Sequence, residues 1–347
     1  MNYVAPWWLP GGNLQTIWPA LYARRVAGEP PRYRRERWDT PDGDFIDVDF
    51  LVSETFDKAP ADSTSPLPAA ARPGQPLLVL FHGLEGSSRS HYAEAFADWC
   101  ARQGLAFAVP HFRGCSGELN HAPRAYHSGD FEEIDWILRR LRARHTTEGG
   151  GPLLAVGVSL GGNALMRWAG EMGRAARDVA DAVASVSSPI DLAAGGHAIG
   201  RGFNRLVYTR MFLKSMKPKA LAKLAQHPGL FDRDAMLAAR DLYEFDNLFT
   251  APLHGFRNTE DYWARASAKP HLPRIRIPAL VVNARNDPFV PAWSLPRRNE
   301  VGSHVTLWQP AHGGHVGFAQ GRAPGHVQAI PDAVGSWLLG NVPSPRQ

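Results

Sequence analysis

The sequence predicts an α/β fold, a mostly parallel sheet of about eight strands flanked by helices with a helical cap inserted late in the chain. Three observations point to it. Short apolar runs alternate with segments of helical period. A Gly-x-Ser-x-Gly turn follows one of those runs directly, at Gly157 to Gly161. From 189 to 273 the strand pattern gives way to helical pieces rich in aromatic residues.

The apolar opening is interrupted by Pro6, Pro10, Gly11, Gly12 and Pro19 and has no basic start, so it reads as neither a signal peptide nor a spanning helix. Tyr33 to Trp38 and Phe45 to Val52 flank Thr40-Pro41-Asp42-Gly43. In the second run Ile46, Val48 and Phe50 alternate with Asp47 and Asp49, which predicts an antiparallel hairpin at one sheet edge. Residues 53 to 76, rich in Pro, Ala and Ser, read as a flexible surface loop. Leu77 to Phe81 is a buried strand, followed by a Gly-rich loop, a helix from Ser90 to Arg102 that stops at Gly104, and a strand from Leu105 to Pro110.

Asp130 to His145 carries Phe131, Ile134, Ile137, Leu138 and Leu141 at helical spacing. Its Arg139, Arg140, Arg142 and Arg144 sit near the negative end of the helix dipole. That placement explains them as a solvated face, and no stacking platform or nucleic-acid motif accompanies them. Strands follow at Leu153 to Val158, Ala182 to Val186, Ala279 to Val282 and Val305 to Trp308. The core therefore comprises 1–188 and 274–347, with 1–32 packing on it. Residues 189–273 form a cap over the edge where open α/β sheets keep their binding crevice.

Composition narrows the function classes. The 347 residues hold 38 Lys and Arg against 33 Asp and Glu, a net charge of +5 that is too small for a polycation. With 44% hydrophobic and 20% charged residues, the chain is ordinary for a globular protein, and disorder or a fibrous repeat is excluded. The two cysteines, Cys100 and Cys115, build neither a disulfide framework nor a zinc site, which fits a reducing cytoplasmic setting. No segment approaches the roughly 18 to 20 apolar residues that cross a bilayer.

The most informative residues are Gly157-Val158-Ser159-Leu160-Gly161-Gly162, after an apolar strand and before an apolar helix. This is the context of a nucleophile elbow, where side chains at Gly157 and Gly161 would collide with neighbouring backbone. A phosphate-binding turn would need Gly-x-x-x-x-Gly-Lys-Ser/Thr, which is missing here. A serine needs a base to take its proton, so an acid and a histidine should follow in that order. Asp287 lies just past the strand ending at Asn283, and His315 lies past the strand ending at Trp308. Asp191 is a competing acid, although it opens the cap. His312 competes as base or as support for the loop, and a metal held by His312 and His315 lacks the carboxylates or cysteines it would need. For the oxyanion, the backbone N–H of Leu160 supplies one donor. His82-Gly83-Leu84-Glu85-Gly86-Ser87 supplies the second, assigned to the N–H of Leu84. His82 as base is a rival to its structural role.

Together, several segments resemble the YheT-like branch of the α/β-hydrolase superfamily, carboxylesterase-like proteins whose animal relatives act on lipids. The marks are Trp7-Trp8-Leu9 with Leu14-Gln15-Thr16, the His82 to Ser88 loop with Ser90 and Tyr92, and Phe112-Arg113-Gly114-Cys115-Ser116-Gly117. Tyr126-His127-Ser128-Gly129-Asp130, the Ser159 elbow, Asp287-Pro288-Phe289 and the His315 loop complete the set. The resemblance implies a relay of Ser159, Asp287 and His315, in agreement with order and context. Asn286 stands where the family often has a second acid, which leaves Asp287 as the one carboxylate; Asn13 stands where a histidine is expected and residues 53 to 76 are longer than typical, and neither of these two departures touches the implied chemistry. The membrane anchor of the animal relatives is not carried over.

The expected activity is hydrolysis of carboxylic esters through an acyl-enzyme at Ser159, with no cofactor and no metal. Short or medium acyl chains are expected, and lipid esters by analogy. An acyltransferase with the same triad and a non-catalytic lipid or small-molecule binder are the alternatives. The cap contributes Phe203, Tyr208, Met211, Phe212, Phe245, Phe249, Phe256, Tyr262 and Trp263, read mostly as packing between cap and sheet. Lys214, Lys217 and Lys219 are read as solvated lysines, with contact at an anionic lipid surface as the rival. No nucleic-acid partner is expected.

Overall fold

The computed structural model describes residues 1–52 and 72–342. The surface loop expected over 53 to 76 falls, for 53–71, outside the described residues. An eight-stranded sheet has the order β1-β2-β4-β3-β5-β6-β7-β8. Its strands are β1 (Tyr33–Asp39), β2 (Phe45–Leu51), β3 (Leu77–Phe81), β4 (Ala106–Pro110), β5 (Leu153–Val158), β6 (Ala182–Val186), β7 (Ala279–Val282) and β8 (Val305–Trp308). The hairpin β1–β2 pairs antiparallel from Tyr33 opposite Leu51 to Asp39 opposite Phe45. β2 meets β4 antiparallel, and every other neighbour is parallel.

The central strands are apolar throughout because both faces are covered. Along β3, Leu77, Val79 and Phe81 enter one core and Leu78 and Leu80 the other, as the two-residue period of a strand requires. The first core lies against α3 (Phe131–Thr147) and α4 (Leu160–Met172) through Ile134, Ile137 and Trp168. The second lies against α2 (His91–Gln103) through Phe96 and Trp99. Gly104 ends α2 in the left-handed region at φ 71°, as its position in the sequence suggests.

The opening holds a helix that its glycines and prolines conceal. Residues Gly12–Leu21 form α1 with Pro19 inside it. Distant parts of the chain hold it there: Trp18 Nε1 donates to the Pro324 carbonyl at 2.9 Å, and buried Gln15 and Thr16 face the C-terminal loops. Between β6 and β7 the chain is helical: α5 (Leu192–Ile199), α6 (Gly202–Asn204), a π turn over Arg205–Thr209, α7 (Arg210–Gln226), α8 (Arg233–Ala238), α9 (Leu242–Phe245), α10 (Ala251–Leu253) and α11 (Thr259–Ala266). The helix α12 (Ala329–Gly340) follows β8.

Candidate active site

Loops leaving the C-terminal ends of β3, β5, β7 and β8 converge, where an open parallel sheet presents its crevice. β5 ends at Val158, and Ser159 turns the chain into α4 with φ 52° and ψ −118°, a conformation that L residues adopt only when their surroundings enforce it. Steric room fixes the two glycines of the turn. A Cβ on Gly157 would lie 2.4 Å from the Gly161 carbonyl oxygen, and one on Gly161 would lie 2.5 Å from the carbonyl oxygens of both Phe81 and His82. The backbone at Ser159 is pinned by its N–H to the Val186 carbonyl at 2.9 Å, and its own carbonyl accepts the N–H of Gly162 at 3.0 Å. The side chain is left facing the cavity.

The residues singled out in the sequence meet there. The His315 Nε2 lies 3.0 Å from Ser159 Oγ, and His315 Nδ1 lies 2.9 Å from Asp287 Oδ2. The other carboxylate oxygen of Asp287 accepts the N–H groups of Phe289 at 2.8 Å and Val290 at 3.3 Å. That carboxylate side chain is fully shielded. The Phe289 ring, centred 4.2 Å from the imidazole, walls one side of His315. Asp191 does other work, capping α5 by accepting the Ala194 N–H at 3.1 Å. Among the described residues, the exposed His312 meets Asn286 alone, at 3.5 Å.

β3 pairs with β5 so that Phe81 faces Gly157, which carries the following loop alongside the elbow. In that loop the N–H of Gly83 is taken by Tyr92 Oη at 2.9 Å, that of Glu85 by Tyr126 Oη at 3.0 Å, and that of Gly86 by the Gly83 carbonyl. Leu84 has no such partner among the described residues. Leu160 opens α4, where the first N–H groups of a helix have no intrahelical acceptor. Both residues line the cavity beside Ser159 and His315. Tyr126 also donates to Glu85 Oε1 at 2.9 Å, clamping Glu85 at φ 57° next to Leu84. Lys219 of α7 pairs with the same carboxylate at 2.9 Å.

His82 is completely buried, with Nε2 accepting the Phe112 N–H at 3.1 Å and Nδ1 2.8 Å from the Gly83 carbonyl. Burial pushes its pKa down to about 3, so the ring stays neutral and supports the loop. Cys115 is held as a thiol, its pKa pushed up to about 12 by burial, which removes it as a nucleophile.

The cavity next to Ser159 has a volume of about 160 Å³. Phe212, Phe245, Phe249 and Trp263 line it, together with Ile199 and Leu192. Phe203 and Met211 do not line the cavity and are 50% and 55% exposed, although the Phe203 ring meets Tyr208 edge-on at 6.2 Å.

A family model described as the alpha/beta hydrolase fold matches residues 76–321. The chain belongs to the α/β-hydrolase family. Within it the chain falls in the YheT-like branch. It is 37% identical to YheT of Escherichia coli (strain K12), named as a candidate esterase, over 94% of this chain and 89% of that protein. It is 30% identical to the phospholipase ABHD3 of Mus musculus over 86% of this chain and 70% of that protein. Among solved structures, the Pyrococcus furiosus esterase Pf2001 superposes with a TM-score of 0.52 at 14% identity, covering 91% of this chain and 95% of that one, a likeness of fold.

In this α/β-hydrolase the opening helix also enters the site, a role that sequence reasoning missed. Thr16 Oγ1 accepts the N–H of His315 at 2.9 Å, and Gln15 Oε1 accepts the N–H of Gly313 at 2.9 Å. Asn286 donates to the same Gln15 oxygen at 2.9 Å and accepts the Gly314 N–H at 3.1 Å. Asn286 is thus part of the scaffold of the histidine loop. Asn13 accepts the Tyr208 hydroxyl at 3.0 Å. The only signal was the Leu14-Gln15-Thr16 motif, which carries no chemistry of its own. Among the described residues, no helix is long and apolar enough to cross a membrane.

Proposed function

We propose that the protein is a serine hydrolase of carboxylic esters working through an acyl-enzyme at Ser159. Ser159 Oγ attacks the ester carbonyl while His315 Nε2 takes its proton. The resulting oxyanion is held by the N–H groups of Leu84 and Leu160, the second aided by the positive end of α4. The tetrahedral adduct collapses and the alcohol leaves with the proton from His315. Water, deprotonated by the same imidazole, then releases the acid. Asp287 keeps the Nδ1–H tautomer and stabilises the imidazolium. The chemistry requires no cofactor.

The observation that carries this reading is the continuous chain from Ser159 Oγ through His315 to Asp287 at 3.0 and 2.9 Å. The esterase and phospholipase names of the relatives support ester hydrolysis in general. The apolar lining favours an acyl chain of short or medium length, and a lipid ester fits the same surface. Residues 189–273 act as the cap domain that supplies this lining. Ser159→Ala is expected to fold normally, to lose at least about 10³-fold in turnover of a p-nitrophenyl ester, and to escape labelling by a fluorophosphonate. A Ser159→Ala protein that keeps its turnover, or labels at another residue, rejects the assignment.

A further inference from the structure

Between Asp191 and Asp232 the chain holds seven Lys and Arg and no Asp or Glu. Three of the seven turn inward. Lys217 donates to the Leu237 carbonyl, Lys219 pairs with Glu85, and Lys223 is buried against the Asn120 and Ala122 carbonyls. The other four, Arg201, Arg205, Arg210 and Lys214, are exposed and have no carboxylate within 4 Å among the described residues. Glu244, which feels Arg205, is itself paired with Arg240 at 3.2 Å.

Large apolar side chains are exposed among these cations: Phe203 at 50%, Leu206 at 57% and Met211 at 55%. The same helical run buries Tyr208, Thr209 and Leu213 on its other side, and Phe212 and Met216 line the cavity. One run therefore roofs the cavity with its inner face and shows solvent a mixed cationic and apolar outer face. Single exposed apolar residues are ordinary on a solvated face, but here Phe203, Leu206 and Met211 gather on one run with four cations, and Leu and Met offer nucleic-acid bases no stacking surface. Interfacial helices need both, cations for anionic headgroups and apolar side chains for the boundary with the acyl region.

We propose that the outer face of Arg201 to Lys214 docks the protein onto anionic lipid bilayers, with the cavity roof held against the lipid surface. The docking goes beyond ester hydrolysis and does not depend on the role of Ser159. Each cation at such a surface is worth roughly fivefold in partitioning.

The test is co-sedimentation of the full chain with vesicles of phosphatidylcholine alone or containing about one third phosphatidylglycerol. Wild type and Ser159→Ala are both expected to bind the anionic vesicles, and less so as salt rises. Combining Arg201→Gln, Arg205→Gln, Arg210→Gln and Lys214→Gln should weaken binding by about 10²-fold or more. Phe203→Ser with Leu206→Ser should also weaken it. Both variants should still turn over a water-soluble short ester at the wild-type rate, which shows that they are folded. Wild type binding neutral and anionic vesicles alike, the four-charge variant binding as wild type, or binding of duplex DNA without binding of vesicles would each overturn the proposal. A Ser159→Ala protein that binds vesicles yet still hydrolyses ester leaves docking intact and removes only the nucleophile assignment.

Discussion

The hydroxyl of Thr16 accepts the backbone N–H of His315 at 2.9 Å, joining positions 299 residues apart. Thr16→Val keeps the shape and strands a buried N–H, a change worth about 1 to 3 kcal/mol. With the imidazole no longer fixed, kcat should fall about 10- to 100-fold with KM little changed. Thr16→Ser, which restores the acceptor, should recover most of it. Steady-state kinetics on a soluble ester decide, and an unchanged kcat in Thr16→Val would show that the loop keeps its place unaided.

The two acids considered in the sequence have separable roles. Asp287→Asn leaves the shape but not the tautomer, and kcat is expected to drop about 10⁴-fold. Asp191→Ala removes a helix cap and should lower unfolding free energy by about 1 kcal/mol without lowering turnover. The reverse pattern would reassign the acid.

Crowding at the elbow makes a stability prediction. Gly161→Ala places a methyl 2.5 Å from two carbonyl oxygens and should cost about 3 kcal/mol or prevent folding. Gly28→Ala, where a Cβ meets nothing within 4 Å, is the control and should be close to neutral. Urea unfolding of the pair checks it, and equal midpoints would contradict the packing described.

His82 predicts a pH dependence of definite sign. Its folded pKa of about 3 lies below the ordinary value of 6.5, so below pH 6.5 the unfolded chain binds a proton that the folded one refuses. The stabilisation from the neutral ring is present above pH 6.5 and declines as pH falls toward 3, by about 1.4 kcal/mol per pH unit. His82→Asn removes this component. Its unfolding free energy between pH 6 and 4 should fall less steeply than that of wild type by about that amount. Parallel curves would mean that the ring is protonated in the folded protein.

Most of the sheet was legible because its strands announce themselves. Val79, Val156 and Val281 sit in uninterrupted apolar runs, and the alternation of Ile46, Val48 and Phe50 with acids marks a strand at the edge. The meeting of Ser159, Asp287 and His315 followed from chain order, since each lies just past the end of a strand. Two things stayed hidden. Gly11, Gly12 and Pro19 conceal α1, whose stability comes from contacts with residues near 313 and 324 that no local pattern reports. The aromatic content of residues 189–273 gives no direction, so Phe203 and Phe212 read alike although one faces water and the other the cavity.

The span from Thr16 to His315 sets an order of events during synthesis. A ribosome has long released α1 before the loop that it grips is translated, and Ser159 waits beside an empty place until the last strand has emerged. The contacts of Ser159 and Asp287 with His315 therefore form late, with α12 still to follow, and a product that stops short of β8 holds the serine without its imidazole neighbour.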